Sequence, residues 1–161
     1  WAAVGWDDKS RPKTRYTSVF MDPAKCEAHN NYLQEKFRKI RENEPQLQCI
    51  DTEDADIVLV AYGTTARICM TAKRIAAQNG IKVGIARPIT IWPFPYDGVY
   101  AACRNAKAVL CVEMAAGQML DDVRIALKGA KEPGLYYRLG GMLPKARDIY
   151  HEIVRMLKEV Q

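Results

Sequence analysis

Several features are scarce or missing in this chain of 161 residues. No apolar run is longer than a strand, whereas a membrane-crossing helix needs about 20 consecutive apolar residues. No membrane partner is therefore expected. The N-terminus has no basic stretch followed by an apolar one, so no secretory signal is visible. The two histidines, His29 and His151, fall in separate helix-like segments with no dyad spacing. Neither Ser10 nor Ser18 sits in an elbow motif, so a serine nucleophile has no support. Neither G-x-G-x-x-G nor G-x-x-x-x-G-K-[ST] occurs, so the glycine-rich dinucleotide and P-loop cradles are excluded. The five cysteines, Cys26, Cys49, Cys69, Cys103 and Cys111, form no C-x-x-C pair, which weakens zinc and iron–sulfur readings. Their odd number does not suit a disulfide scaffold. Cys69, in a helix-like run, and Cys111, in a strand-like one, read as small buried hydrophobes. Reduced thiols in a cytoplasmic protein are the expectation.

Charge of either sign is only mildly in excess: 24 Lys and Arg against 19 Asp and Glu leave a net +5. Lys9, Arg11, Lys13 and Arg15 alternate near the N-terminus, and Lys36, Arg38, Lys39 and Arg41 crowd one helical stretch. Glu35, Glu42 and Glu44 dilute the second cluster, and no aromatics interleave with it as a stacking platform requires. Solvated faces or a subunit interface are the favoured reading, and no nucleic-acid partner is expected. The length suits one well-cored domain. A start at Trp1 rather than Met points to a piece of a longer polypeptide.

What is present is alternation. Residues 1–17 read as an extended, basic lead-in. Asp22-Pro23 starts a helix whose face carries Leu33, Phe37 and Ile40, and Pro45 closes it. Ile57–Ala61 is a short apolar run suited to a strand buried on both faces. Gly63 then permits a tight turn and a Thr can cap the next helix, with Ile68, Ala72, Ile75 and Ala76 as its apolar stripe and Asn79-Gly80 as its stop. Ile81–Ala86 is the second strand, 96–105 a helix, and Ala108–Val112 the third strand. Gly117 opens a helix with Leu120, Val123 and Leu127 facing inward. Leu135–Leu139 reads as a fourth strand, and Ile149, Ile153, Met156, Leu157 and Val160 mark the last helix. Strand–helix units of this spacing predict an α/β fold, three layers α/β/α with a mainly parallel sheet. Gln46–Ile50 could add an antiparallel edge. The organisation expected is an N-terminal arm and helix over 1–46 and an α/β domain over 47–161.

Three constellations can carry function, each with a structural alternative. The turn Tyr62-Gly63-Thr64-Thr65 could hold a phosphate or carboxylate on backbone N–H groups, or be a plain strand-to-helix turn. Arg87 could pair with a buried carboxylate or reach an anion supplied by a partner. Trp92-Pro93-Phe94-Pro95 is a stiff aromatic loop that either docks another protein surface or covers its own core. Glu113 ends a strand, before Gly117-Gln118; it is either a cleft-facing carboxylate or an acceptor for backbone N–H groups. Asp121-Asp122 suits the positive end of a helix rather than a metal. No acid–base pair, nucleophile or metal cage emerges.

The order Val60-Ala61-Tyr62-Gly63-Thr64, Arg67, Gly80, Gly84, Arg87-Pro88, Trp92-Pro93-Phe94-Pro95, Glu113 and Gly117-Gln118-Met119 resembles the C-terminal domain of the α-type subunit of 2-oxoacid:ferredoxin oxidoreductases. Gly5, Thr17-Ser18 and Asp22-Pro23 most resemble the branched-chain, 2-ketoisovalerate type. The resemblance implies a transketolase C-terminal-domain-like fold. It also implies a multi-subunit enzyme that decarboxylates a 2-oxoacid to acyl-CoA using thiamine diphosphate, magnesium, iron–sulfur clusters and coenzyme A, with ferredoxin as electron acceptor. The family's Tyr-Pro-Ile-Thr-Pro, its Gly-Asp-Gly diphosphate–magnesium motif and its cluster cysteines are not in this sequence; Asp97-Gly98 does not qualify. No cofactor is then expected on this chain alone. It would be inactive in isolation and serve assembly, with Tyr62, Gly63, Thr64, Arg87, Trp92, Pro93, Phe94, Pro95, Glu113, Gly117 and Gln118 facing neighbouring domains or subunits. The family loop usually reads Glu-x-Asn-x-Gly-Gln, and Ala115 replaces its Asn. The alternative reading is a free-standing α/β domain that binds a nucleotide or phosphate at the Tyr62–Thr65 turn.

Overall fold

Continuous apolar runs bury on both faces, and amphipathic stretches between them must cover those faces; the observed layers follow from that rule. A computed structural model of the chain describes residues 17–160, so the lead-in expected over 1–17 lies, except for Thr17, outside the described residues. The chain divides into two compact units, 1–38 and 39–161.

In the first unit, Asp22 Oδ1 accepts a hydrogen bond from the Ala24 N–H at 2.9 Å. That satisfies a donor at the start of α1 (Pro23–Asn43), where the missing N–H of Pro23 costs nothing. Cys26, His29, Leu33 and Phe37 recur on one face of α1 and are half-buried, and the Phe20 ring stacks on His29 at 4.7 Å.

The second unit holds β1 (Leu47–Ile50), β2 (Ile57–Ala61), α2 (Gly63–Gln78), β3 (Val83–Pro88), α3 (Tyr96–Cys103), β4 (Ala108–Glu113), α4 (Gln118–Leu127), β5 (Gly134–Tyr137) and α5 (Ala146–Glu159). The sheet order is β1-β3-β2-β4-β5, parallel except for β1, which runs antiparallel to β3 with Leu47 opposite Pro88. Alternate residues of each strand face opposite layers. Val58, Val60, Val109 and Cys111 pack with Val99 of α3 and Leu120, Val123 and Leu127 of α4. Ile57, Leu59, Ile85 and Leu110 pack with Cys69, Ala72 and Ala76 of α2 and Ile149 and Ile153 of α5. The three-layer α/β/α expectation therefore holds, including the antiparallel edge.

Five local expectations change. The strand expected over Ile81–Ala86 runs instead over Val83–Pro88, because Ile81 N–H still bonds the Ala76 carbonyl and Lys82 N–H bonds the Asp56 carboxylate. The strand expected over Leu135–Leu139 ends at Tyr137, opposite Glu113, where its partner β4 also ends. No threonine caps α2: Tyr62 occupies the cap position without a side-chain bond, and Thr65 Oγ1 donates back to the Tyr62 carbonyl at 2.6 Å. The buried line of α2 is Ala66, Cys69, Ala72 and Ala76, with Ile68 and Ile75 only half-buried, because small residues let the helix lie close to the sheet. Val160 lies just past α5 and is exposed.

Candidate functional site

Parallel strands bring the loops after β2, β3 and β4 to one edge of the sheet. These are the Tyr62–Thr65 turn, the Ile89–Pro95 loop and the Met114–Gly117 loop. After β2 the chain crosses toward β3 and covers the α2 face; after β4 it crosses toward β5 by way of α4 on the opposite face. Neighbouring strands with diverging exits make a topological switch point, the usual place for a cleft in such sheets.

Glu113, the last residue of β4, is fully buried. One carboxylate oxygen accepts the Met119 N–H at 3.1 Å and the other the Leu120 N–H at 3.3 Å. Gly117 is the N-cap of α4, with φ of 100°, and has no side chain to satisfy those donors. Glu113 supplies the missing acceptor from six residues upstream, at the positive end of the helix. Of its two sequence readings, the structural hydrogen-bonding one is realised. Gln118 is exposed on the first turn, and Ala115 is half-buried in the loop.

The two aromatics of the loop differ in burial. Phe94 is 4% exposed and belongs to the core beneath α3 and α4, while Trp92 is 56% exposed. Pro93 and Pro95 are buried, and the Trp92–Pro93 bond is cis. The loop walls a groove of about 450 Å³ whose far side includes Arg41, Pro45 and Leu47. Tyr96, which sequence reasoning did not select, and Asp122, which it read only as a helix-end charge, line one end of it: the Tyr96 hydroxyl donates to Asp122 Oδ1 at 2.6 Å. That bond, aided by desolvation, pushes the Tyr96 hydroxyl up to about 12. Asp121 lies in the first turn of α4, as expected, whereas Asp122 lies one residue beyond it and pairs with Tyr96 instead.

Arg87 meets no carboxylate among the described residues. Its Nη1 donates to Gln48 Oε1 at 3.2 Å, across the β1–β3 pair, and its Nε is buried with no acceptor among the described residues. An orphaned buried donor costs about 1–3 kcal/mol. Gly63, with φ of 54°, and Thr64 are exposed at the start of α2, and Tyr62 packs partly into the core.

The titratable side chains do not suit a diphosphate–magnesium or iron–sulfur group. Among the described residues no cluster of three His, Cys, Asp or Glu is placed to hold a metal. Burial pushes the Cys69 and Cys103 thiols up to about 12 and Cys111 higher still. Among the described residues no helix is long and apolar enough to cross a membrane.

Residues 55–149 match the family described as pyruvate:ferredoxin oxidoreductase core domain II. The ketoisovalerate oxidoreductase subunit VorB of Methanothermobacter marburgensis is 40% identical over 153 residues, which cover 95% of this chain and 43% of that subunit. The 2-oxoglutarate synthase subunit KorA of Methanothermobacter thermautotrophicus is 30% identical over 140 residues, covering 85% of this chain and 37% of that subunit. The chain thus spans less than half the length of the curated relatives it matches. The fold is shared with a 2-oxoglutarate:ferredoxin oxidoreductase from Magnetococcus marinus, at a TM-score of 0.69 and 17% identity over 95% of this chain and 28% of that one. It is also shared with a split-gene transketolase, at 0.59 and 15% over 72% of this chain and 42% of that one. The transketolase-like fold implied by the motif order is thereby established. Since the matched span covers more than half of its residues, this chain belongs to the pyruvate:ferredoxin oxidoreductase core domain II family.

Proposed function

We propose that this chain is the assembly domain of a subunit of a 2-oxoacid:ferredoxin oxidoreductase of the 2-ketoisovalerate type. The complex would decarboxylate a branched 2-oxoacid to its acyl-CoA and pass electrons to ferredoxin. The observation that carries this reading is the 40% identity to a ketoisovalerate oxidoreductase subunit along 95% of the chain. Thiamine diphosphate, magnesium, iron–sulfur clusters and coenzyme A belong to other parts of that cytoplasmic complex. The α/β domain over 47–161 and the arm and helix over 1–46 act without contributing a reacting group. The chemistry of the carboxyl edge supports this role. The buried Glu113 is committed to the backbone of the first turn of α4. The exposed Ile89, Ile91 and Trp92 present apolar surface beside Arg87, as a docking edge would. Tyr62, Gly63, Thr64, Arg87, the 92–95 loop, Glu113, Gly117 and Gln118 form or support that edge.

The reading is tested by mixing the chain with separately produced remaining segments and subunits of such an oxidoreductase. Size-exclusion chromatography should show one larger species containing the chain, and Trp92→Ala or Ile91→Asp should weaken its formation while leaving the chain folded. Failure of the chain to join any such species would contradict the proposal.

A further inference from the structure

A second feature lies on the α2 face near the β1 edge. Gln48, Ile50, Ala66, Arg67, Met70, Ile85 and Arg87 line a recess of about 210 Å³. Pockets that take a whole small molecule run to about 300–1,000 Å³, so this one takes a single group. Two of its lining side chains are guanidinium ions and none is acidic. Arg67 is exposed, and neither it nor Arg87 has an ion-pair partner among the described residues. Arg87 is held in place by Gln48 through Nη1, which leaves the Nε side of the planar ion without an acceptor. A guanidinium binds an oxyanion side-on through two neighbouring N–H groups, and Nε is one such donor. Two uncompensated cations around one small recess match a dianion better than a single carboxylate, which would neutralise only one of them.

We propose that Arg67 and Arg87 form a binding site for a phosphate group, with Arg87 the inner donor and Arg67 the outer one. The apolar floor of Ile50, Met70 and Ile85 receives the adjoining carbon of a phosphate ester. The recess is lined by Ala66, Arg67 and Met70 of α2 rather than by the Tyr62–Thr65 turn, so this site differs from the anion site read at that turn. The inference does not depend on the assembly role.

The probe is inorganic phosphate, added to the isotope-labelled full chain at constant ionic strength. The readout is the side-chain Nε–H resonances of Arg67 and Arg87 together with the side-chain amide of Gln48. The proposal expects saturable shifts of all three, a much weaker response to acetate, and none to chloride. Arg67→Gln should leave the rest of the spectrum in place and raise the phosphate concentration needed at Arg87 about tenfold. Arg87→Lys, which keeps the charge but not the fork, should abolish the response at Arg67 and Gln48. A response that does not saturate, or that chloride reproduces, overturns the site. Equal responses to acetate and phosphate would assign it to a carboxylate from a polypeptide instead and would overturn the phosphate assignment.

Discussion

Glu113 shows how a residue with functional placement can be wholly occupied by structure. It sits at a strand end in a sheet whose clefts form at strand ends, yet both of its oxygens are taken by N–H groups of the next helix. Glu113→Ala removes the acceptor of two buried donors and should cost about 2–4 kcal/mol in urea unfolding. Glu113→Gln, which keeps one oxygen, should cost less. Asp56 gives a pH dependence. Lys107 Nζ bonds its Oδ1 at 2.8 Å and the Lys82 N–H its Oδ2 at 3.1 Å; the Lys107 bond leads in holding the carboxyl below its usual 3.8. A depressed carboxyl contributes stability that is fully present above the unfolded value and is lost as pH falls through the folded one. Urea midpoints of wild type and Asp56→Asn should therefore differ at neutral pH, begin to converge only below about pH 4, and meet once pH has fallen through the lower folded value. Thiol titration gives a third check. Cys26 and Cys49 should react in the native protein, and the buried Cys69, Cys103 and Cys111 only on unfolding.

At the scale of elements, much was legible in the sequence because burial on both faces leaves no room for polar residues. Ile57–Ala61 and Ala108–Val112 stand out as unbroken apolar runs, and the structure puts strands there. Strand ends were less legible because they depend on the partner strand: β3 continues to Pro88 since β1 pairs that far. The partners of Arg87 were illegible for the same reason, since Gln48 reaches it only across a strand pair 39 residues away in sequence. The split between Phe94 and Trp92 depends on the packing of α3 and α4, which no local pattern encodes. Gly84, part of the recognised motif order, acquires a cause: a Cβ there would lie 2.8 Å from the Thr52 Cα and 2.9 Å from the Asp51 carbonyl oxygen, both backbone. Gly84→Ala should cost about 1–3 kcal/mol in thermal or urea unfolding. Gly134→Ala meets the movable end of Met156 at 2.7 Å and should cost less. Equal costs would mean that the turn over Asp51 and Thr52 yields as easily as a thioether.

For the whole molecule, the family match and the shared fold assign the lineage, and the carboxyl edge supports the proposed docking role. A buried carboxylate fixes one loop, a proline-braced aromatic loop walls a groove, and apolar side chains stand outside it. The most direct measurement is turnover by the assembled oxidoreductase with and without this chain, read as ketoisovalerate-dependent and coenzyme A-dependent dye reduction. The account predicts no activity for the chain alone, activity for the complete assembly, and loss of activity when only this chain is withheld. Normal turnover by a correctly assembled complex lacking it would contradict the assembly role.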